Sequence, residues 1–420
     1  MLDIKKIREN PEAIKEGIKK KGADPKLIDE LILIDRNRRR LQTDSEKAQG
    51  ELNLISKEIV KLHGQQKIDA INRASNYSDR IRKIKPELEQ AEREYLECAY
   101  QIPNPPEEDV ILGQSDKDNT VNRKVDEPPK FDFQPSDHVD LGQKYDLIDI
   151  GRGVKIAGSR SYFIKNELVI LEFALVQYVF DILTKEGFIP MVPPVLLNRQ
   201  TVAGAGYLPA GEDEIYKTQD DSYLAGTAEQ PLAGYHQGEI IEVDRLPLRY
   251  AGFSSCFRRE AGSYGKDVRG ILRVHQFDKV EMFSFTKPAD SKKEHEYLVS
   301  LEEKIVKGLK IPYQLVNICT GDLGAPATKK FDIECYLPGE GRYRETHSCS
   351  NCTDFQSRRL NIRYRDHDGK IDFLHTLNGT AVAIGRMLIA IIENYQKEDK
   401  IVVPEVLQKW SGFGEIRRKK

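Results

Sequence analysis

A chain of 420 residues is long enough for two or three domains and a sizeable buried core, which excludes a disulfide-stapled miniprotein. Apolar residues make up 39% and charged residues 31%, the balance of a folded globular protein rather than a disordered one. Lys and Arg number 65 against 67 Asp and Glu, so a basic field over the whole chain is excluded and any nucleic-acid surface has to be local.

Six cysteines (Cys98, Cys256, Cys319, Cys335, Cys349, Cys352) are too sparse for a disulfide framework, and Met1 to Arg8 is charged from its third residue onward, unlike a signal peptide. A reducing, cytoplasmic location is expected. The most apolar stretches, Leu168 to Leu183 and Thr380 to Ile392, are interrupted by Glu172, Gln177 and Arg386 and are shorter than a bilayer span, so no membrane partner is expected.

The first hundred residues follow a heptad rule. Leu27, Leu31, Ile34, Arg38, Leu41, Ser45, Ala48, Leu52, Ile55, Ile59 and Leu62 recur in steps of four and three, and Ala70, Ala74, Tyr77, Ile81, Ile84, Leu88, Ala91, Tyr95, Cys98 and Ile102 resume the rhythm after a break at His63 to Asp69. Two long helices joined by a short turn pack antiparallel, each about 50 Å long at ~1.5 Å per residue. Pro86 inside the second seam predicts a kink or a helix restart. Around the turn the charge is basic: Lys61, Lys67, Arg73, Arg80, Arg82, Lys83 and Lys85 stand against Asp69 and Asp79. A solvated coiled-coil surface accounts for this, and so does a contact with a phosphate backbone.

Pro103-Asn-Pro-Pro106 breaks the helix. The spacing divides the chain into a hairpin over 1–105, a polar linker over 106–138 and a mixed domain over 139–420. In that domain helices are expected over Ser161 to Lys185, Asp290 to Gly308 and, as the last helix, Gly379 to Tyr395. Strands over Leu248 to Phe257 and Leu272 to Phe285 suggest an antiparallel sheet, hence an α+β class overall. Neither a Rossmann nor a Walker signature occurs.

Chemistry concentrates between Phe257 and Glu281, read as a hairpin with a loop of roughly ten residues containing Gly262, Gly265 and Gly270. Side chains two apart in a strand share a face, so Arg258 and Glu260 project together, as do Arg273, Phe277 and Glu281 on the returning strand. Guanidiniums for phosphate, a ring for a base and carboxylates for an amine suit a nucleotide bearing an amino acid. An exposed, salt-bridged hairpin is the plain alternative. Downstream, Arg386 is a lone cation in the apolar run Ala381 to Ile392, where burial demands an anionic partner, either a structural carboxylate or a phosphate.

These residues carry a family resemblance. Arg258-x-Glu260 with its hairpin resembles the second signature motif of class II aminoacyl-tRNA synthetases, Gly385-Arg386 on an apolar helix resembles the third, and Glu186-Gly-Phe-Ile-Pro-Met-Val-Pro-Pro194 the first. Within the class the chain is most similar to the seryl-tRNA synthetase family, through Thr227-Ala-Glu229, Arg269 to Phe277, Glu345 with Ser348-Cys-Ser-Asn351, Asp354 to Arg359 and Thr376-Leu-Asn-Gly-Thr380. The N-terminal hairpin resembles that family's tRNA-binding arm, and the resemblance covers essentially the whole chain.

The resemblance implies ATP-dependent activation of L-serine to seryl-adenylate and its transfer to the 3′ end of tRNA(Ser), with tRNA(Sec) a second candidate, by a homodimer. It implies a serine set of Thr227, Ala228, Glu229, Glu281, Asn378 and Thr380, with Glu281 and Thr380 near the hydroxyl. It implies Arg258 on the α-phosphate, Glu260 on the adenine amino group, Phe277 stacked on adenine, Arg386 on the γ-phosphate and Arg273 as a further triphosphate contact. Arg259, Val274, Thr346 and His347 complete the implied ATP set, Glu345 and Ser348 would hold Mg²⁺, and Lys61, Lys67, Arg73, Arg80, Arg82 and Lys83 would meet tRNA.

Four features need a separate reading. Thr346-His347 precede Ser348 where the family more often has small residues, which raises the question whether His347 faces the metal; Arg259 should point away from Arg258 by alternation. Cys349-Ser-Asn-Cys352 has zinc-like spacing but no second pair. Gly204-Ala-Gly206-Tyr-Leu-Pro resembles a mobile substrate loop of the family and equally fits a plain surface loop. Two rival functions are a paralogue that loads a carrier protein, which would lack the arm, and a non-catalytic RNA-binding relative, which would have lost some of Arg258, Glu260, Glu281, Glu345 and Arg386.

Overall fold

A computed structural model describes residues 1–262, 265, 267 and 269–418. The chain forms two compact units: one comprises residues 2–19 and 23–103, the other Met1, residues 20–22 and residues 104–420.

In the first unit two short helices, α1 (Ile4–Glu9) and α2 (Pro11–Lys20), precede the long α3 (Lys26–Ile59) and α4 (Gly64–Gln101). The hairpin closes on the heptad seam. Leu31, Leu41, Ala48 and Ile55 of α3 and Ala70, Ala91, Tyr95 and Cys98 of α4 are buried. Near the open end Ile28 is buried, and Asp35 is buried as well. That carboxylate is compensated by Arg38 at 3.1 Å, Arg39 at 3.0 Å and Arg8 at 3.5 Å, while the Arg38 guanidinium lies 4.6 Å over the Tyr95 ring. Helix α4 runs through Pro86 without restarting, so the missing N–H is absorbed within a helix held by its seam. It also begins at Gly64, which makes the turn shorter than the sequence break suggests. All seven basic residues from Lys61 to Lys85 are exposed.

The second unit is built on an eight-stranded sheet. Its strands are β1 (Thr120–Val125), β2 (Ile189–Met191), β3 (Leu248–Phe257), β4 (Gln276–Thr286), β5 (Tyr313–Asn317), β6 (Lys329–Leu337), β7 (Arg342–Thr353) and β8 (His375–Ala383). Their order is β1-β5-β6-β7-β8-β4-β3-β2, antiparallel throughout except for the parallel β2–β3 pair. Four helices matter for the site: α5 (His138–Lys144), α6 (Glu167–Lys185), α7 (Ser291–Gly308) and α8 (Ile384–Asn394). Leu171 and Leu175 of α6, Leu298 and Ile305 of α7 and Met387 and Ile391 of α8 pack with Val280, Met282, Ile333 and Leu377 of the sheet into one core. Since β4 alternates, burying Val280 and Met282 on this side leaves Phe277, Lys279 and Glu281 on the other.

Several boundaries differ from the sequence reading. The stretch 106–138, read as a linker, contributes edge strand β1, which pairs with β5. Residues 379–383 belong to β8 rather than to the final helix, because Gly379 and Thr380 are in register with Met282 and Glu281 of β4. A further helix, Glu405–Ser411, follows α8. Helix α6 starts at Glu167, since Phe163–Ile164 pairs with Ile148–Asp149 in a two-stranded ribbon. The β3–β4 connection runs from 258 to 275, longer than the ten residues expected. Ser263, Tyr264, Lys266 and Val268 of that loop lie outside the described residues.

Candidate active site

The uncovered sheet face holds a cavity of about 420 Å³, lined by Glu229, Arg258, Glu260, Arg273, Val274, Phe277, Lys279, Glu281, Glu345, Thr346, Ser348, Asn378, Thr380 and Arg386 among others. A second cavity of about 510 Å³ adjoins it, sharing Leu272, Arg273, Glu345 and Arg386.

Two β-bulges make this convergence possible. Ser348 and Glu345 are three residues apart in one strand and by strict alternation would face opposite ways. Between Ile333 and Glu334 the β6–β7 register slips, with Ile333 opposite His347 and Glu334 opposite Glu345. Thr346 is therefore the extra residue, and past it the phase inverts, so Glu345 and Ser348 both line the cavity. Strand β8 does the same around Ala381, which brings Ala383 to the cavity beside Asn378 and Thr380.

At one end of the cavity sit two buried carboxylates. The Glu229 carboxylate accepts from Tyr207 Oη at 2.7 Å and Gln356 Nε2 at 2.7 Å. Burial, and then the charge of Glu281, push Glu229 above the usual carboxylate range. Glu281 is paired with Lys279, which is itself buried, and receives the Thr227 hydroxyl at 3.5 Å. Two carboxylates and one ammonium leave one net negative charge, which fits a small cation such as an α-ammonium. Thr380, directly opposite Glu281 in the register, adds a hydroxyl.

The middle of the cavity is aromatic and cationic. Arg258 leaves β3 with its guanidinium 5.3 Å from the centre of the Phe277 ring and its Nε donating to the Gly226 carbonyl at 3.1 Å. Glu260 lines the cavity with a left-handed backbone (φ 54°), so its orientation comes from a break in the strand and not from the alternation inferred from sequence. Its carboxylate accepts from Arg273 Nη1 at 2.7 Å, and Arg273 also lies 3.7 Å from Asp267. Arg273 is thus held by carboxylates.

At the far end Arg386 is a quarter exposed on the first turn of α8, not enclosed by the apolar helix as the sequence suggested. Its Nη1 donates to the Glu345 carbonyl at 2.9 Å and stands 3.3 Å from Glu345 Oε1. Against the desolvation that opposes them, Arg386, Lys330 and Arg258 hold Glu345 below the ordinary carboxylate range. Directly across from Ser348, Asp332 is buried and pushed up to about 7 by desolvation, with Lys330 opposing and Glu345 adding to the rise. Asp332 Oδ1 has no hydrogen-bond partner among the described residues. An orphaned carboxylate oxygen beside Glu345 and Ser348 is the donor set a hard divalent cation takes.

Some sequence-expected residues fall elsewhere. Arg259 is exposed, does not line the cavity, and uses its backbone N–H on the Glu214 carbonyl at 2.9 Å. His347 is buried outside the cavity lining, where burial lowers it to about 4 and Nδ1 meets Thr346 Oγ1 at 2.8 Å. Thr346 reaches the cavity, but its hydroxyl donates to the Ile333 carbonyl at 3.2 Å. Thr227 and Ala228 lie beneath the lining, Thr227 acting through Glu281. Cys352 lines the cavity while Cys349 does not, so the two thiols of the zinc-like spacing do not converge. The loop after Gly206 is no plain surface loop, since Tyr207 lines the cavity and holds Glu229. Lys279, Lys330 and Asp332 escaped the sequence reading, and Tyr207 entered it only as part of the Gly204 to Pro209 loop. Strand period two, applied between Phe277 and Glu281, would have found Lys279.

Comparison with known proteins agrees with this geometry. A model of the seryl-tRNA synthetase N-terminal domain matches residues 1–106, and one of the tRNA synthetase class II core domain (G, H, P, S and T) matches residues 214–395. The serine–tRNA ligase of Dictyoglomus turgidum is 47% identical over 425 residues, covering all of both chains. The crystal structure of seryl-tRNA synthetase from Pyrococcus horikoshii complexed with ATP superposes with a TM-score of 0.92 at 40% identity over all of both chains. That of the cytoplasmic serine–tRNA ligase from Naegleria fowleri in complex with AMP gives 0.87 at 35%, covering 100% of this chain and 99% of the other. With full-length identity at this level and two domain models in the matching order, the chain belongs to the seryl-tRNA synthetase family of class II aminoacyl-tRNA synthetases.

Proposed function

We propose that the chain is a serine–tRNA ligase that uses ATP to activate L-serine as seryl-adenylate and passes the seryl group to the 3′ end of tRNA(Ser), and that tRNA(Sec) is a second acceptor. The carrying observation is one cavity with a carboxylate–lysine cluster, Glu229, Glu281 and Lys279, at one end and the cations Arg258, Lys330 and Arg386 along the rest of it. Glu229 and Glu281 take the ammonium of serine, and Thr380 and Glu281 its hydroxyl. Phe277 and Glu260 take adenine, while Arg258 and Arg386 neutralise the triphosphate. Serine's carboxylate then attacks the α-phosphorus in line, forming a C(O)O–P bond as the bond to pyrophosphate breaks. In the second step a terminal ribose hydroxyl attacks the seryl carbonyl and AMP leaves. Positioning and charge neutralisation suffice for both steps, so no side-chain nucleophile is required.

Glu345, Ser348 and Asp332 would hold Mg²⁺, which when bound adds positive charge at the phosphates. The exposed basic tip of the α3–α4 hairpin would meet the tRNA backbone through Lys61, Lys67, Arg73, Arg80, Arg82 and Lys83. A homodimer is supported by apolar side chains bared around edge strand β2: Phe173 is 60% and Val192 80% exposed, with Ile170 and Ile189 beside them. A cytoplasmic location fits six reduced, buried cysteines and no helix long and apolar enough to cross a membrane among the described residues. Serine-dependent ATP–pyrophosphate exchange, run beside serine transfer to total tRNA, tests the reading. Exchange with transfer supports it, exchange alone points to a carrier-protein ligase, and neither points to a non-catalytic relative.

A further inference from the structure

We infer that His138 is a positioning residue for the ATP end of the cavity, acting through the backbone of Ile271. The inference rests on the reading of that cavity as an ATP site.

His138 opens α5, far in sequence from every motif of the site, and is 6% exposed at its side chain. Its Nε2 lies 3.2 Å from the backbone nitrogen of Ile271. A backbone N–H can only donate, so Nε2 carries a lone pair and the ring proton is on Nδ1. That Nδ1–H points at Glu393 Oε1, 3.1 Å away, near the end of α8. Glu393 is fully buried and takes two more N–H groups, from the His138 backbone at 2.8 Å and from Gly339 at 2.9 Å. The carboxylate thereby fixes both the ring's tautomer and its direction. Gly270 makes the approach possible: it sits at φ +89°, and a Cβ there would come within 2.0 Å of Nε2.

From this anchor the chain enters the cavity wall. Ile271, Leu272, Arg273 and Val274 follow in succession and all line it. Before Ile271 the leg is tied from Arg269 to Asp137 and Asp140 by exposed ion pairs of small weight, and beyond it Arg273 is held by Glu260 and, at its carbonyl, by Arg160 at 3.1 Å. The buried imidazole is therefore the acceptor that sets where the leg starts, and Glu393 links it to the helix that carries Arg386. His138 touches no reacting atom; its effect is on where the wall stands.

Two isosteric variants separate this role from plain packing. His138→Gln keeps an acceptor near the position of Nε2, whereas His138→Asn keeps a donor near Nδ1 toward Glu393 and has no acceptor for Ile271. On the full chain, peptide-level amide exchange over residues 269–275 is expected to quicken in H138N and stay close to the parent in H138Q. In pyrophosphate exchange, H138N is expected to raise KM for ATP about tenfold, the size of one lost buried hydrogen bond, with serine KM and kcat little changed. H138Q should restore most of that. Equal effects of the two variants, or a serine KM that moves with the ATP KM, would overturn the inference. If the parent shows no serine-dependent exchange the functional reading fails, yet the amide-exchange arm still decides whether His138 holds Ile271.

Discussion

The ammonium of Lys279 pairs with the carboxylate of Glu281, two residues along the same strand, and both groups are buried on the cavity face. Lys279 also draws Glu229 back down against the burial and the Glu281 charge that raise it. In Lys279→Met Glu229 loses the ammonium that opposes its rise and climbs further above the usual carboxylate range. The acid limb of kcat/KM for serine is expected to move up by about one pH unit and serine KM to rise about tenfold. An unchanged pH profile in pyrophosphate exchange would remove Lys279 from the serine site.

Thr380 stands opposite Glu281 in the β8–β4 register, so the two can share the substrate hydroxyl. A polar pocket left unpaired by an analogue rejects it far more strongly than an apolar pocket rejects one extra methyl, which is worth only ~1–3 kcal/mol. Thr380→Val is therefore expected to raise serine KM and narrow the serine-over-alanine ratio of kcat/KM by about tenfold or more, with threonine affected less. Competition among the three amino acids in the exchange assay measures both ratios.

How far the molecule was legible in its letters depended on periodicity. The hairpin was readable because its seam repeats over many heptads, and Asp35 broke the pattern only because three arginines gather on it. Local period failed where the backbone leaves it. Glu345 and Ser348 share a face through a bulge at Thr346 that no spacing rule announces, and Glu260 is turned by a left-handed residue. The strand identity of Gly379 to Ala383 was hidden because it runs straight into residues 381–392, apolar throughout save Arg386, and only pairing with β4 separates strand from helix. Asp332 reaches the site from a segment with no motif of its own, and the bond from Tyr207 to Glu229 is made by tertiary structure that the loop's letters do not show.

Among the described residues Arg386 has no buried carboxylate partner that would excuse it from the reaction. Its neighbour Glu345 is about half exposed and is also a candidate metal ligand. A pair this accessible contributes at most about 1 kcal/mol to stability, whereas one donor removed from a charge-stabilising site costs ~10²–10³ in rate. Arg386→Ala should accordingly lower pyrophosphate exchange by about two to three orders of magnitude while the thermal midpoint moves by only a few degrees. A large drop in the midpoint with proportionate loss of activity would make Arg386 structural instead.

The α3–α4 hairpin forms a compact unit with its own seam, and the seven basic residues from Lys61 to Lys85 run from the turn along the distal part of α4. Replacing residues 61–85 by a short turn removes all seven cations and leaves the catalytic unit's sequence untouched. Serine activation is expected to stay within about twofold of the parent, while serine transfer to tRNA falls by at least a hundredfold, as loss of several phosphate contacts implies. Raising the salt concentration should weaken transfer by the parent steeply and leave exchange nearly flat. Equal loss of both activities in the shortened chain would mean that the hairpin supports the fold.

Two buried histidines set the acid limit of the catalytic unit. His295 meets the Cys349 carbonyl at 3.1 Å, and burial lowers it to about 4, with that carbonyl bond opposing; His347, on the site strand itself, is likewise lowered to about 4 by burial. Their unfolded value is near 6.5. Between pH 6.5 and 4 the unfolded chain takes up protons that the folded chain refuses, so the stability these groups contribute is complete above 6.5 and is lost as pH falls toward 4. Each histidine accounts for about 1.4 kcal/mol per pH unit within that window. The thermal midpoint should therefore fall steeply from pH 6.5 to 5, and His295→Gln, which cannot titrate, should show about half the slope attributable to the pair. A parent and variant with the same pH slope would mean that His295 takes up its proton equally in the folded and unfolded chain, and the acid limit would then rest on other groups.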